Sequence, residues 1–164
     1  MFKALIIFFV LNFYSAAFSS VKDQIIYKMQ LTNNLSFNFI QTIGDQSENG
    51  KCIIKYPKKI FCEYHNSNKK IIISNGKSLV IKNKSNKNFY IYPLNKTPLE
   101  FLLDKDYIIS KISTLEPREI INKYLNFKII ANSNEINIFF DKKNLNLVGW
   151  QIEDRFQNNI YFSL

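Results

Sequence analysis

From Leu35 onward, apolar and polar residues alternate in short runs separated by turn signals, a pattern that restricts this chain to an antiparallel meander. Leu35, Phe37 and Phe39 share one face of the first run, with Ser36 and Asn38 on the other. Gly44 and Gly50, with Asp45, Ser47, Glu48 and Asn49 around them, read as a loop. Strands are then expected at 51–56 and 59–65, joined at Pro57-Lys58, and at 69–74 and 78–82, joined at Asn75-Gly76. Asn-Gly between β-branched runs is a strong hairpin signal. After a turn at 83–88 comes 89–93, and the pattern returns at 126–130, 135–140, 147–154 and 159–164. Turns at 131–134, 141–146 and 155–157 separate these later strands.

Two segments break the alternation. Val21, Ile25 and Leu31 fall near helical spacing, which predicts a short amphipathic helix over 21–31. At Thr97-Pro98-Leu99-Glu100, Thr97 suits an N-cap, Pro98 the first helical position and Glu100 the third, with Leu99, Leu102 and Leu103 as the apolar side. Glu116-Pro117-Arg118 is a further candidate helix start. The fold class expected is mainly β with α (α+β), and 164 residues without repeat or linker imply one core.

The first residues have a different character. Lys3 precedes an apolar run over 4–11, and Ser15-Ala16-Ala17 supplies small residues, as in a secretory signal peptide cleaved after Ala17 or Ser19. The run is much shorter than the roughly 20 residues a membrane-spanning helix needs. No Cys lies near the junction to accept a lipid of the bacterial type. The expected organisation is therefore a signal peptide at 1–19 and a single domain at 20–164, working outside the inner membrane.

The residues needed for most catalysis are missing. His65 is the sole histidine and has no Cys or His at ligand spacing, so neither a metal site nor a nucleophile relay can be assembled around it. Gly44, Gly50, Gly76 and Gly149 are isolated and form no phosphate-cradling loop. Asp104 with Asp106, and Glu153 with Asp154, read as turn and helix-end charges. The net charge of +9 is spread over lysines in ones and twos at turns, not gathered on one helix, so nucleic acid is not an expected partner. No catalytic residue, metal or cofactor is expected.

Cys52 and Cys62 lie five residues to either side of Pro57, so they face each other across the hairpin. Export would permit a disulfide, and two buried thiols are the alternative. With Leu35, Phe37, Phe39, Ile54, Ile60 and Tyr64 they form one apolar face. Either the helices close over that face as an ordinary core, or it stays partly open to a long apolar ligand.

The order of these motifs resembles the periplasmic outer-membrane lipoprotein carrier family, LolA. The resemblance rests on Phe39-Ile40-Gln41, on the hairpin from Gly50 through Pro57 to Glu63-Tyr64, on Ser74-Asn75-Gly76-Lys77-Ser78-Leu79, on Thr97-Pro98-Leu99 and on Leu147-Val148-Gly149-Trp150 with Asp154. It spans roughly residues 25–164. It implies a curved, incompletely closed, barrel-like antiparallel sheet whose concave face is lidded by helices and receives lipoprotein acyl chains. On this reading Leu35, Phe37, Phe39, Cys52, Ile54, Ile60, Cys62 and Tyr64 bind lipid, and Pro98, Leu99, Leu102 and Leu103 belong to the lid. The implied partners are lipoproteins, an ATP-driven inner-membrane release complex of the ABC type and an outer-membrane receptor, served by a monomeric periplasmic chaperone. Relatives often carry Arg before the hairpin proline as a latch to the lid; Tyr56 stands there in this chain and is the expected substitute. Many relatives also continue past the position of Leu164, so either the last edge of the sheet or the family's specificity element is expected to be missing. The alternative is an envelope lipid-binding or scaffold protein without carrier activity.

Overall fold

The computed structural model describes residues 19–65, 69–85, 88–132, 134–153 and 159–164. Residues 1–18 of the expected signal peptide (1–19), Asp154 and the expected turn at 155–157 lie outside the described residues.

All the strands belong to one antiparallel sheet, in the order β6-β5-β4-β3-β2-β1-β11-β10-β9-β8-β7, that does not close into a barrel. The first six are β1 (Asn34–Ile43), β2 (Gln46–Lys55), β3 (Lys59–Tyr64), β4 (Lys70–Asn75), β5 (Ser78–Asn83) and β6 (Phe89–Pro93). The rest are β7 (Arg118–Ile120), β8 (Tyr124–Ala131), β9 (Asn134–Asp141), β10 (Leu147–Glu153) and β11 (Asn159–Ser163). Each half is a meander of hairpins, and the halves meet where β1 pairs with β11, Ile40 opposite Ser163 through Ile43 opposite Ile160. The last strand of the chain is therefore at the centre of the sheet, between β1 and β10.

One face of the sheet is covered by α1 (Val21–Leu31), α2 (Leu99–Leu102) and α3 (Lys105–Thr114). In α1, Ser20 and Asp23 form a reciprocal capping box, and Ile25 is fully buried. The core lies between these helices and the inner face, where Leu103 and Ile112 meet Cys52, Ile54, Ile60, Phe127 and Ile138. The pleat makes this burial one-sided: inner residues of β2 and β3 are buried, whereas Ile53 and Phe61 on the outer face are exposed.

Three expectations are corrected. The stretch from Gly44 to Gly50 is not a loop: Gly44-Asp45 is a tight turn and the polar residues Gln46–Asn49 extend β2, held by pairing with Ile43–Ile40. The segment after Pro117 is not a helix start but the short strand β7 against β8. A full helix, α3, occupies 105–114, capped by the Asp104 carboxylate accepting the Tyr107 N–H at 3.0 Å. In the second expected helix, Thr97 does not cap; its hydroxyl donates to Leu94 O and the helix begins after Pro98.

Gly50 sits where a side chain cannot. A Cβ there would lie 2.3 Å from Glu63 O and 2.8 Å from the ring of Phe39, its cross-strand partner. Phe39 thus packs over bare backbone and meets Tyr64 edge-on at 4.8 Å. Gly50→Ala is expected to cost about 1–3 kcal/mol by overpacking. Chemical denaturation would measure it, and an unchanged midpoint would mean that the strands and ring have room to shift.

Candidate functional site

The inner face carries every residue singled out for ligand contact, but it does not treat them alike. Phe39, Cys52, Ile54, Ile60, Cys62 and Tyr64 are buried in the core, whereas Leu35 and Phe37 are half-buried. Cys52 and Cys62 are directly opposed on β2 and β3, with Cα atoms 4.1 Å apart and their sulfurs bonded.

An apolar cavity of about 390 Å3 opens at one end of the sheet. It is lined by Leu35 and Phe37 of β1, Met29 of α1, Tyr56, Leu145, Leu147 and Leu164. Lys28 and Lys105 stand at its wall. Both are tied to backbone: Lys28 donates to Asn144 O at 2.5 Å, and Lys105 donates to Gln30 O and Thr32 O at 3.0 Å. Lys105 thereby satisfies carbonyls at the end of α1 and fastens α3 to it.

A second, nearly filled crevice of about 20 Å3 lies deeper, lined by Ile54 and Trp150 of the sheet and by Leu99, Leu102, Leu103 and Ile108 of the helices. Met29, Tyr56 and Leu147 border both spaces. Trp150 stacks on Phe162 at 5.1 Å and meets Phe37 edge-on at 5.7 Å. Among the described residues its buried Nε1–H has no hydrogen-bond partner. Among them, too, no cluster of side chains could hold a metal ion.

The helices are tied to the sheet at Lys58, a residue not singled out from the sequence. At the turn between β2 and β3, the Lys58 N–H donates to Leu103 O at 2.8 Å. Its ammonium donates to Glu100 at 2.6 Å and lies 3.3 Å from Asp104. The turn is held in place by Ser74, buried on β4, whose hydroxyl donates to Lys58 O at 2.9 Å. Tyr56, the expected latch, donates only its backbone N–H, to Asn33 O, and among the described residues its hydroxyl bonds nothing on the helices. Burial pushes that phenol up to about 12. The hydrogen bond to Glu100, with Asp104 contributing, raises Lys58 above the usual lysine value. The signal that could have revealed Lys58 was its charge beside a hairpin proline, facing Glu100 and Asp104 in the predicted lid.

Both groups hold their protons in the fold to higher pH than in the unfolded chain. Their contribution to stability is therefore complete below about pH 10 and declines as pH rises further. Urea midpoints are expected to stay level up to about pH 10 and then fall, with Tyr56→Phe removing part of the fall. The partly exposed ion pair is worth about 1 kcal/mol or less. In Lys58→Met, amide exchange over 99–104 should accelerate up to about fivefold while that of β2 stays unchanged. Equal acceleration in both places would mean that Lys58 supports the whole fold and not the lid.

Residues 30–164 match the family model described as outer membrane lipoprotein carrier protein LolA. Similar solved structures include a LolA superfamily protein from Nitrosomonas europaea, at 10% identity and TM-score 0.40, covering 88% of this chain and 91% of that one. A domain from Vibrio parahaemolyticus, described as an outer membrane lipoprotein-sorting protein, has 6% identity, TM-score 0.45 and coverage of 85% and 88%. A DUF1329 family protein from Desulfovibrio piger has 6% identity, TM-score 0.35 and coverage of 87% and 89%. No curated protein matches in sequence. The chain belongs to the outer membrane lipoprotein carrier (LolA) family.

Proposed function

We propose that this member of the lipoprotein carrier family shelters lipoprotein acyl chains between its sheet and its helices and carries them through the periplasm. Its donor is an ATP-driven inner-membrane release complex and its acceptor an outer-membrane receptor, and the transfer involves no covalent chemistry by the carrier. The leader at 1–19 directs export, and the domain at 20–164 works as a monomer.

The observation that carries this reading is the shared border of the two spaces. The open cavity and the crevice under α2 and α3 share Met29, Tyr56 and Leu147 in their walls, and the crevice is lined by the lid's own leucines. An acyl chain entering at the cavity would displace Leu99, Leu102 and Leu103 and take over their contacts with Ile54 and Trp150. Burying a methylene gains about 0.8 kcal/mol, so a long chain can offset the lost lid contacts. The lid is easily moved because α2 has only four residues and cannot be stable as an isolated helix. Leu35 and Phe37 form the entry, Pro98 begins the lid, and the deeper residues from Phe39 to Tyr64 shape the floor.

Trp150, the sole tryptophan, sits on that floor and reports occupancy. Acyl chains brominated near their ends are expected to quench its fluorescence, and Leu35→Glu or Phe37→Glu to abolish both the quenching and the release of lipoproteins from inner-membrane vesicles. Because both residues are half-buried, the variants should keep their far-UV circular dichroism. Quenching undiminished by both substitutions would reject the entry assignment. Acyl binding without lipoprotein release would favour an envelope lipid-binding protein without carrier activity.

A further inference from the structure

The sheet face turned away from the helices carries an ordered apolar row. Ile53 of β2 is opposite Phe61 of β3, Phe61 opposite Ile73 of β4, Ile73 opposite Val80 of β5, and Val80 opposite Ile91 of β6. These five residues line up across five strands, a span of about 19 Å. Ile53, Phe61, Ile73 and Ile91 are all exposed, Ile91 the most at 59%. The row ends at the edge strand β6, where Phe89, on the same face as Ile91 by the pleat, is exposed as well. An apolar row of this length is unusual on a surface that meets only water.

Its flanks are cationic. Lys51 and Lys55 flank Ile53 on β2, Lys59 precedes Phe61 on β3 and Lys82 follows Val80 on β5; each points to the same face by the pleat, and all are exposed. Among the described residues none of the four has an ion-pair partner. The one acid on this part of the face, Glu63, is paired with Lys84 at 2.9 Å. An apolar row bordered by unpaired ammonium groups matches a lipid–water interface bearing negative headgroups.

We infer that the outer face of β2–β6 docks on the surface of anionic phospholipid membranes. The apolar row enters the headgroup layer and the lysines remain above it against the phosphates. Because this face is opposite the helices, docking leaves the cavity and its lid unobstructed. A second copy of the chain is a poorer occupant, since pairing this face with itself would set the four lysines against their own counterparts.

The test uses residues 20–164, which carry every described element, with circular dichroism confirming the fold. Sedimentation is measured with vesicles of phosphatidylcholine alone and with one phosphatidylglycerol in three. Binding to the mixed vesicles is expected, with about tenfold weaker partitioning to the neutral ones and marked loss in high salt. Phe61→Ser with Ile73→Ser, and separately Lys51→Glu, Lys55→Glu, Lys59→Glu and Lys82→Glu together, should each reduce partitioning about tenfold or more. Both variants should retain Trp150 quenching by acyl chains, which separates this surface from the proposed carrier site. Equal binding to neutral vesicles, no binding to mixed ones, or binding unchanged in the lysine variant would overturn the inference. So would self-association in ultracentrifugation that Phe61→Ser with Ile73→Ser dissolves while vesicles stay unbound.

Discussion

The pairing of β1 with β11 is the joint on which the sheet depends. Without it the chain would be two separate meanders, each too narrow to form an inner face large enough for three helices. Backbone pairing there covers four residue pairs and is reinforced by rings on the inner side. Phe39 of β1 meets Phe162 of β11 at 5.7 Å, Phe162 stacks on Trp150 of β10, and Trp150 meets Phe37 of β1. Edge and offset ring contacts of this kind contribute about 0.5–1.5 kcal/mol each beyond area burial. The ring cluster therefore does two jobs: it fastens the halves together and it makes the floor of the hollow apolar.

That joint also explains what could and could not be read from the chain. Hairpins are local, so the alternation around Pro57 and the Asn75-Gly76 turn placed β2 to β5 nearly where they are, and the facing of Cys52 and Cys62 followed from the same register. The meeting of residues 40 and 163 is not local, and no spacing along the chain encodes it. The start of β2 was hidden for a related reason. Gln46, Ser47, Glu48 and Asn49 have the composition of a loop, yet they form a strand because β1 offers each of them a backbone partner. Helix α3 was not expected because the β-branched Ile108, Ile109 and Ile112 give only a weak helix signal, and its stability comes from burying Ile108 and Ile112 against the core.

The site was legible to the same extent. Which residues face inward follows from the pleat, so the inner-face residues named from sequence do share one side. Their division into a packed floor and an accessible entry does not follow from the pleat, because it depends on where α1 and α2 come to rest. Position 56, expected as the latch by analogy with relatives, makes no side-chain bond to the helices among the described residues, and the contacts to α2 come from Lys58, whose backbone takes the left-handed conformation at φ 61°. That turn is fixed from β4 by Ser74, again across the sheet and not along the chain.

On the proposed carrier function the fold has to be stable and openable at once, and its interactions are distributed accordingly. Strand pairing, the ring cluster and the residues around Phe127 and Ile138 secure the sheet, none of which must break for the helices to move. The helices meet the sheet through side chains that an apolar ligand can replace, and are fastened at α2 by a backbone hydrogen bond and a half-exposed ion pair. Such a pair contributes little because water competes for both charges. That weakness suits a lid, since a gap of a few kcal/mol between closed and open states leaves the open one populated at about 0.1–10% without ligand. A buried apolar latch would hold the lid more firmly, but it would also raise the energy that every entering chain has to offset.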